Sequence, residues 1–179
     1  MRFEIFSLGF GEGELGLCAA PGSTGQYRVD LGVILAWKPE MIISMTQQHE
    51  LDELGAVSFF TDLLSAGITV VHLPTPDLSV PEAAVIAKWP NVSVAARGIL
   101  RTGGRVLVHC RGGCGRSGMA TLKLMVEAGR SPDIALKELR STRPCAVETN
   151  AQMKWATGST TLSQEAAAGT TASHDPVDK

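Results

Sequence analysis

The segment "VLVHCRGGCGRSG", residues 106–118, joins an apolar run typical of a buried strand to the start of a helical pattern. It contains four glycines, a cysteine where the apolar run ends and an arginine near the start of the helix. Backbone N–H groups that converge at a helix N-terminus bind anions, and glycine lets the chain curl tightly enough to aim them at one point. The segment therefore predicts a strand, a phosphate-binding loop and a helix, with Cys110 at the base of the loop and Arg116 at its rim.

The side chains of this loop are suited to breaking a phosphate ester. Arg116 can give a phosphate two parallel hydrogen bonds, and the positive field of the loop favours the thiolate of Cys110. A thiolate that faces phosphorus is a nucleophile, and its product is a cysteinyl-phosphate. Ser117 is expected to donate a hydrogen bond to the sulfur when it leaves, and His109 to brace the loop by hydrogen bonding. The loop residues predicted to contact the phosphate are Arg111, Gly112, Gly113, Cys114, Gly115 and Arg116.

The alternative is a structural turn in which the cysteine and the arginine are incidental. Chains of this composition give a His-Cys pair, five further residues and an Arg-Ser pair on the order of once in a thousand or more. Because a strand pattern precedes the loop and a helix pattern follows it, we favour the functional interpretation.

Short apolar runs alternate with helical patterns along the rest of the chain. The runs "RFEIF", "LGLCAA", "MIISM", "ITVVHL" and "RVLVH" predict strands, so the fold class is α/β, with a central, mostly parallel sheet of short strands flanked by helices. Ser79 and Glu82 match a capping box at the start of one helix, and Pro90 is expected to interrupt that helix. Residues 1–157 are predicted to form one catalytic domain, and the small, polar, aperiodic residues 158–179 a low-complexity, flexible tail.

Composition excludes several classes of partner. The net charge of −2 gives no reason to expect nucleic acid, and no apolar stretch approaches the ~20 residues of a membrane span. The four cysteines are sparse and unevenly spaced, which indicates reduced thiols in a cytoplasmic protein rather than a disulfide framework. A metal site is not expected, since His109, Cys110 and Cys114 lack a second pair of ligands at a suitable spacing. The segment "GEGELG" matches a dinucleotide-binding pattern, but no helix pattern follows it.

The loop sequence "HCRGGCGRSG" matches the HCx5R[ST] signature of the cysteine-dependent protein phosphatases. The flanking segments "APGST", "SMTQQHELDELG" and "RPCAVETNAQ" resemble the small dual-specificity phosphatases of the kinase-associated type. The resemblance extends to about residue 157. It implies a protein-tyrosine-phosphatase-like fold and catalysis without a cofactor.

The resemblance also assigns a general acid. The family places an aspartate on a loop after the strand that precedes the long helix, and in this sequence "HLPTPDLSVP" has Asp77 there. The alternative is that Asp77 only caps a turn before Ser79. Gln152 either orients the hydrolytic water, as a glutamine does in related phosphatases, or forms a capping box with Thr149. Cys114 is expected to point away from Cys110 and to fill a small apolar gap behind the loop.

These observations predict hydrolysis of a phosphomonoester through a cysteinyl-phosphate, with a phosphorylated protein or a small phosphate ester as the partner. A tyrosine or dual-specificity protein phosphatase is favoured. A phosphoinositide or small-molecule phosphatase is the alternative, because Arg111 places a basic residue inside the loop. A catalytically silent phosphate-binding module is a further alternative, which the presence of Cys110, Arg116 and Asp77 disfavours.

Overall fold

The computed structural model of the chain describes residues 2–158, so the predicted tail lies outside the described residues except for Gly158. Its strands are β1 (Ile5–Phe10), β2 (Gly13–Ala19), β3 (Met41–Ser44), β4 (Thr69–His72) and β5 (Arg105–Cys110). They form one sheet in the order β1-β2-β5-β3-β4, in which only the β1–β2 pair is antiparallel. The helices are α1 (Tyr27–Trp37), α2 (Gln48–Glu53), α3 (Phe59–Ser65), α4 (Ala83–Ile86), α5 (Trp89–Arg101), α6 (Gly115–Glu127), α7 (Pro132–Thr142) and α8 (Asn150–Thr157). The predicted α/β class with a mostly parallel sheet is confirmed.

The central strand β5 is buried on both faces of the sheet. Val106 and Val108 pack into the larger hydrophobic cluster, which includes residues of α5, α6 and α8. Leu107 points to the opposite face and packs with residues of α1 and α3. A strand covered on both faces needs apolar side chains at successive positions, and this explains the uninterrupted run before His109.

The parallel strands end at one edge of the sheet, where several of the predicted site residues lie. Cys110 closes β5 and is paired in register with Ala19 of β2. The short helix α2 follows β3, and the segment of residues 73–82 follows β4 at the same edge. Ligands bind beyond the carboxyl ends of such strands, so this edge is where a site is expected.

The start of the long helix differs from the sequence prediction. The short helix α4 begins after Glu82 with no side-chain cap, and the Ser79 hydroxyl donates to the carbonyl of Val80. The predicted capping box is therefore wrong. The predicted interruption is present, since α4 ends at Ile86 and α5 begins at Trp89. Pro90 lies in the first turn of α5, where a missing N–H costs nothing.

Within residues 2–158, no helix is both long enough and apolar enough to cross a membrane.

Candidate active site

The predicted nucleophile, Cys110, lies at the junction between β5 and the predicted phosphate-binding loop. Cys110 is a free cysteine and is buried, and its sulfur lies 3.3 Å from the hydroxyl oxygen of Ser117 in the first turn of α6. The hydroxyl is therefore in place to donate a hydrogen bond to the sulfur. This is the contact expected of a group that stabilises a thiolate and eases its departure.

The backbone between Cys110 and α6 curls as an anion cradle requires. Gly113 adopts φ +69°, and a Cβ at this position would lie 2.5 Å from the backbone nitrogen of Ala19. Only glycine therefore fits there. In the described part of the chain, no acceptor is found for the backbone N–H groups of residues 112–115. Four unpaired donors in one tight loop are suited to the oxygens of a phosphate.

Arg116 is held by a carboxylate that the sequence analysis did not identify. Its side chain is 1% exposed, and its two terminal nitrogens donate to the two carboxylate oxygens of Glu50 at 2.6 and 2.8 Å. One of them also donates to the carbonyl of Thr75 at 3.0 Å. The remaining Nε is buried and without a hydrogen-bond partner among the described residues, which leaves a donor for a ligand. The carboxylate of Glu50 thus fixes the orientation of the guanidinium, while its Nε–H stays available to a ligand.

Glu50 is the third residue of α2 and part of its capping box, since it accepts a hydrogen bond from the backbone of Gln47 at 2.8 Å. Burial alone would raise the pKa of this carboxyl, but hydrogen bonds from Arg116 and the Gln47 backbone outweigh it and hold the pKa below 4.5. Nothing in the sequence distinguishes this glutamate from an ordinary capping residue, because its partner is 66 positions away.

Asp77 lies at the mouth of the same pocket. One carboxylate oxygen is 3.1 Å from a terminal nitrogen of Arg116, while the side chain is 66% exposed. No described backbone N–H donates to it, and the nitrogen of Ser79 bonds instead to the carbonyl of Pro76. The turn-capping alternative for Asp77 therefore has no supporting contact. The next residue, Leu78, adopts φ +55°, which is uncommon for leucine and marks a constrained turn.

These groups surround a pocket of about 320 Å³. Its lining residues are Asp77, Cys110, Arg111, Gly112, Cys114, Gly115, Arg116 and Glu148. A nucleophile at the base, a cation on one side and a carboxyl at the mouth are the groups that phosphate ester cleavage needs.

A model of the family described as "Polymorphic toxin system, DSP-PTPase phosphatase" matches residues 39–130, more than half of the chain. The chain belongs to this phosphatase family. It is therefore a hydrolase that acts on phosphoesters. No curated protein matches the chain significantly.

Solved phosphatase structures share the fold of this phosphatase. Kinase associated phosphatase is 23% identical with a TM-score of 0.76, covering 87% of this chain and 93% of its own. Tk-PTP is 28% identical with a TM-score of 0.61, and the match covers 84% of this chain and 92% of that one. PTPMT1 in complex with PI(5)P is 19% identical with a TM-score of 0.62, with coverage of 86% and 93%.

Arg111, the basic residue inside the loop, is paired with an acid. Its guanidinium lies 2.6 Å from the carboxylate of Glu53, and both side chains are exposed. The positive charge that the lipid alternative invoked is therefore largely compensated at the mouth of the pocket. Glu148 adds a second carboxylate to the lining, packed where a side chain at Gly115 would collide with it.

The bracing of the loop by a hydrogen bond from His109 stays a prediction. The ring packs edge-on against Phe59 with centroids 5.2 Å apart, and the backbone of Cys110 interacts with it. Burial lowers the pKa of His109 to about 3, and the neighbouring backbone of Cys110 offsets only part of this. The histidine is therefore neutral where it packs against Phe59.

Gln152 forms the capping box that was one of its two interpretations. Its carbonyl oxygen accepts from the backbone nitrogens of Glu148 and Thr149 at 2.9 and 3.3 Å, and its amide nitrogen reaches the carbonyl of Ser79 at 3.4 Å. Both ends of the amide are thus engaged in holding α8 against the Asp77 segment. A role in orienting water stays a prediction.

The prediction of four reduced cysteines is wrong for two of them. Cys114 and Cys145 form a disulfide, with their Cα atoms 5.2 Å apart, while Cys18 and Cys110 are free. Cys114 is bonded to the segment after α7 rather than filling an apolar gap behind the loop. The fold brings the two residues within bridging distance although 31 positions separate them, and sequence spacing gives no sign of this.

Proposed function

We propose that this phosphatase hydrolyses phosphomonoesters on proteins, on phosphotyrosine and also on phosphoserine or phosphothreonine, through a cysteinyl-phosphate on Cys110. One observation carries the proposal. The buried sulfur of Cys110, the hydroxyl of Ser117 and the free Nε edge of Arg116 converge on one pocket, with Asp77 at its mouth.

In the first step the thiolate of Cys110 attacks phosphorus, and the bond from phosphorus to the ester oxygen breaks. Arg116 and the loop N–H groups stabilise the charge on the non-bridging oxygens. The leaving oxygen takes a proton from the carboxyl of Asp77, which the exposed turn presents to the pocket.

In the second step water attacks the phosphorus and the bond from phosphorus to sulfur breaks. The carboxylate of Asp77 accepts a proton from the water, and inorganic phosphate is released. Ser117 donates its hydrogen bond to the sulfur as the thiolate reforms.

The charges around the pocket favour a protein substrate over a phosphoinositide. Glu53 pairs with Arg111, and Asp77 and Glu148 are acidic residues of the pocket lining. A headgroup with several phosphates would meet these carboxylates, whereas a single phosphate on a protein side chain needs only the cradle. PTPMT1, which shares this fold, was solved in complex with PI(5)P, and this is the reason to test lipids beside peptides.

The proposal extends to the setting of the reaction. The matching family is described as a phosphatase of polymorphic toxin systems, so we propose that the substrates are phosphoproteins of the cell that a toxin enters. Those phosphoproteins lie in a cytoplasm, whereas the Cys114–Cys145 disulfide forms under oxidising conditions. A domain exported from one cell and active in another meets both conditions.

A substrate panel tests this function. Phosphopeptides, phosphoinositides and soluble phosphate esters are compared at equal concentration with wild-type protein, Cys110→Ser and Cys18→Ser. The last variant is a matched control, because Cys18 is the other free, buried cysteine. We expect turnover of phosphopeptides, retained by Cys18→Ser and by samples with a chelator, and abolished by Cys110→Ser. Faster turnover of phosphoinositides would reassign the substrate class, and wild-type turnover by Cys110→Ser would refute the mechanism.

A further inference from the structure

We propose that Arg143 is a positioning residue for the phosphate-binding loop, binding the loop from outside so that its N–H groups face the phosphate. This proposal rests on the proposed function of the loop. Arg143 is the residue immediately after α7, far along the chain from Cys110.

The guanidinium of Arg143 contacts two successive peptide groups of the loop. Its Nη2 donates to the carbonyl of Gly112 at 3.1 Å, and its Nε donates to the carbonyl of Gly113 at 3.0 Å. On its other side it lies over the ring of Phe6 in β1, 4.3 Å from the ring centroid. The planar fork matches two adjacent acceptors in a way that a lysine ammonium cannot.

Because peptide groups are planar, the contact of Arg143 with the outside of the loop also sets the direction of N–H groups on its inside. In a trans peptide the carbonyl of one residue and the N–H of the next point in opposite directions. When Arg143 draws the carbonyls of Gly112 and Gly113 outward, the N–H groups of Gly113 and Cys114 are directed to the inside of the loop. Those two groups belong to the set that has no acceptor in the described part of the chain.

The other carbonyls of the loop are held by backbone donors. The carbonyl of Arg111 accepts from the nitrogen of Ala20 at 3.2 Å, and that of Cys114 accepts from the nitrogen of Gly118 at 2.9 Å. Side-chain substitution cannot remove these bonds. Arg143 is thus a side chain whose replacement tests the direction of the loop amides.

A purely structural role for Arg143 would be to hold the chain between α7 and α8. Arg140 already does this, since its Nε and Nη2 donate to the carbonyls of Ala146 and Val147, both at 3.0 Å. The carbonyl of Arg143 accepts from the nitrogen of Ala146 in that connection, but its side chain donates to the carbonyls of the loop.

The test compares Arg143→Met, Arg143→Lys and Arg105→Met in the full chain. Arg105 is a matched control, because it also donates to a backbone carbonyl, that of Trp37 at 2.8 Å, and lies over an aromatic ring. It stands at the opposite end of β5 from Cys110. Two readouts need no turnover: the concentration of inorganic phosphate that protects Cys110 from alkylation, and the ratio of its alkylation rates with anionic iodoacetate and neutral iodoacetamide.

Losing two charge-assisted hydrogen bonds that orient the loop should weaken phosphate protection by roughly 10- to 100-fold in Arg143→Met. The iodoacetate preference should fall with it, while kcat on an aryl phosphate drops. Arg143→Lys should recover part of the affinity, and Arg105→Met should keep all three properties even where its melting temperature falls.

Wild-type phosphate protection in either Arg143 variant would overturn the proposal, and Arg143→Lys decides the matter if Arg143→Met does not fold. An equal loss in Arg105→Met would also overturn it, because general loosening would then explain the effect. If wild-type protein hydrolyses no phosphoester, the proposed function fails while the protection and alkylation results still decide the role of Arg143.

Discussion

Replacing Glu50 with glutamine should destabilise the phosphatase far more than the same change at Glu53, three residues later on the same helix. Glu50→Gln removes the charge opposite a guanidinium that is 1% exposed and breaks one of two short hydrogen bonds. Leaving one charge of a buried pair without its partner costs about 3–5 kcal/mol. Asp77 also contacts Arg116, but it is largely exposed and offsets little of this cost.

The control pair, Glu53 and Arg111, is exposed and should contribute little to stability. Glu53 lies 2.6 Å from Arg111, with both side chains in solvent, and such pairs contribute about 0–1 kcal/mol. In a chain of this size 1 kcal/mol shifts the melting temperature by roughly 2–4 °C. We therefore expect Glu50→Gln to melt about 6–20 °C below wild type and Glu53→Gln within about 4 °C of it.

The pH dependence of stability tests the role of Glu50 independently. The folded pKa of Glu50 lies below 4.5, so its contribution to stability is fully present above that pH and is lost as the pH falls through the lower folded value. Wild-type protein should lose melting temperature in this acid range, and Glu50→Gln should lose less.

The assay is thermal melting by circular dichroism from pH 3 to 7, together with kcat/KM on an aryl phosphate. We expect Glu50→Gln to lose about 100-fold in kcat/KM, since a guanidinium without its partner no longer holds its orientation. Equal melting temperatures for Glu50→Gln and Glu53→Gln would refute the reasoning, because the buried pair would then contribute no more than the exposed one.

Three further predictions concern other parts of the site. Asp77→Asn should lower kcat by ~10²–10⁴-fold, with smaller losses for esters that have good leaving groups; a uniform loss across leaving groups would indicate another acid. Gly113→Ala should abolish phosphate protection of Cys110, because its Cβ would lie 2.5 Å from a backbone nitrogen, whereas Gly112→Ala meets nothing within 4 Å and is the control; equal protection in both variants would contradict this. His109→Gln should flatten the rise of stability with pH, because a histidine with a folded pKa of about 3 and an ordinary value of 6.5 makes stability increase between those values; an unchanged slope of melting temperature from pH 5 to 6.5 would contradict this.

The strand, the loop and the helix start could be predicted from the sequence because they are continuous in it. A buried strand shows as an apolar run, the tight loop as glycines, and the anion site as the helix that follows. Cys110 and Ser117 are seven positions apart in the sequence, and the sulfur lies 3.3 Å from the hydroxyl oxygen. Local geometry was therefore sufficient to predict their contact. Asp77 required the family resemblance, since its loop follows a different strand.

The groups that the sequence analysis missed act on the loop from distant positions. Glu50 is 66 positions from Arg116, and Arg143 is 30 from Gly113. Each of these residues also has an ordinary structural interpretation: Glu50 as a capping residue, and Arg143 as a cation near a helix end. The disulfide was missed for the same reason, because only the packing of the segment after α7 against the loop brings Cys145 to Cys114.

His109 and Gln152 show a second reason why the role of a side chain could not be predicted from the sequence. Their residue types fit hydrogen-bonding roles, and which role is taken depends on what surrounds them. The ring of His109 is buried and packs edge-on against Phe59, whereas Gln152 accepts from the N–H groups at the start of α8. The role of each residue depends on its burial and on the direction of the nearby backbone, and neither can be read from the pattern of residues.

The central claim, covalent catalysis by Cys110, is tested most directly by trapping the phosphorylated enzyme. Wild-type protein, Asp77→Asn, Cys18→Ser and Cys110→Ser are mixed with an aryl phosphate that has a good leaving group, quenched with acid within one turnover, digested and analysed by mass spectrometry. We predict one phosphoryl group on the peptide that contains Cys110, accumulating most in Asp77→Asn because the second step is slowed, retained in Cys18→Ser and absent from Cys110→Ser. A phosphoryl group on any other residue, or full turnover by Cys110→Ser, would contradict the claim.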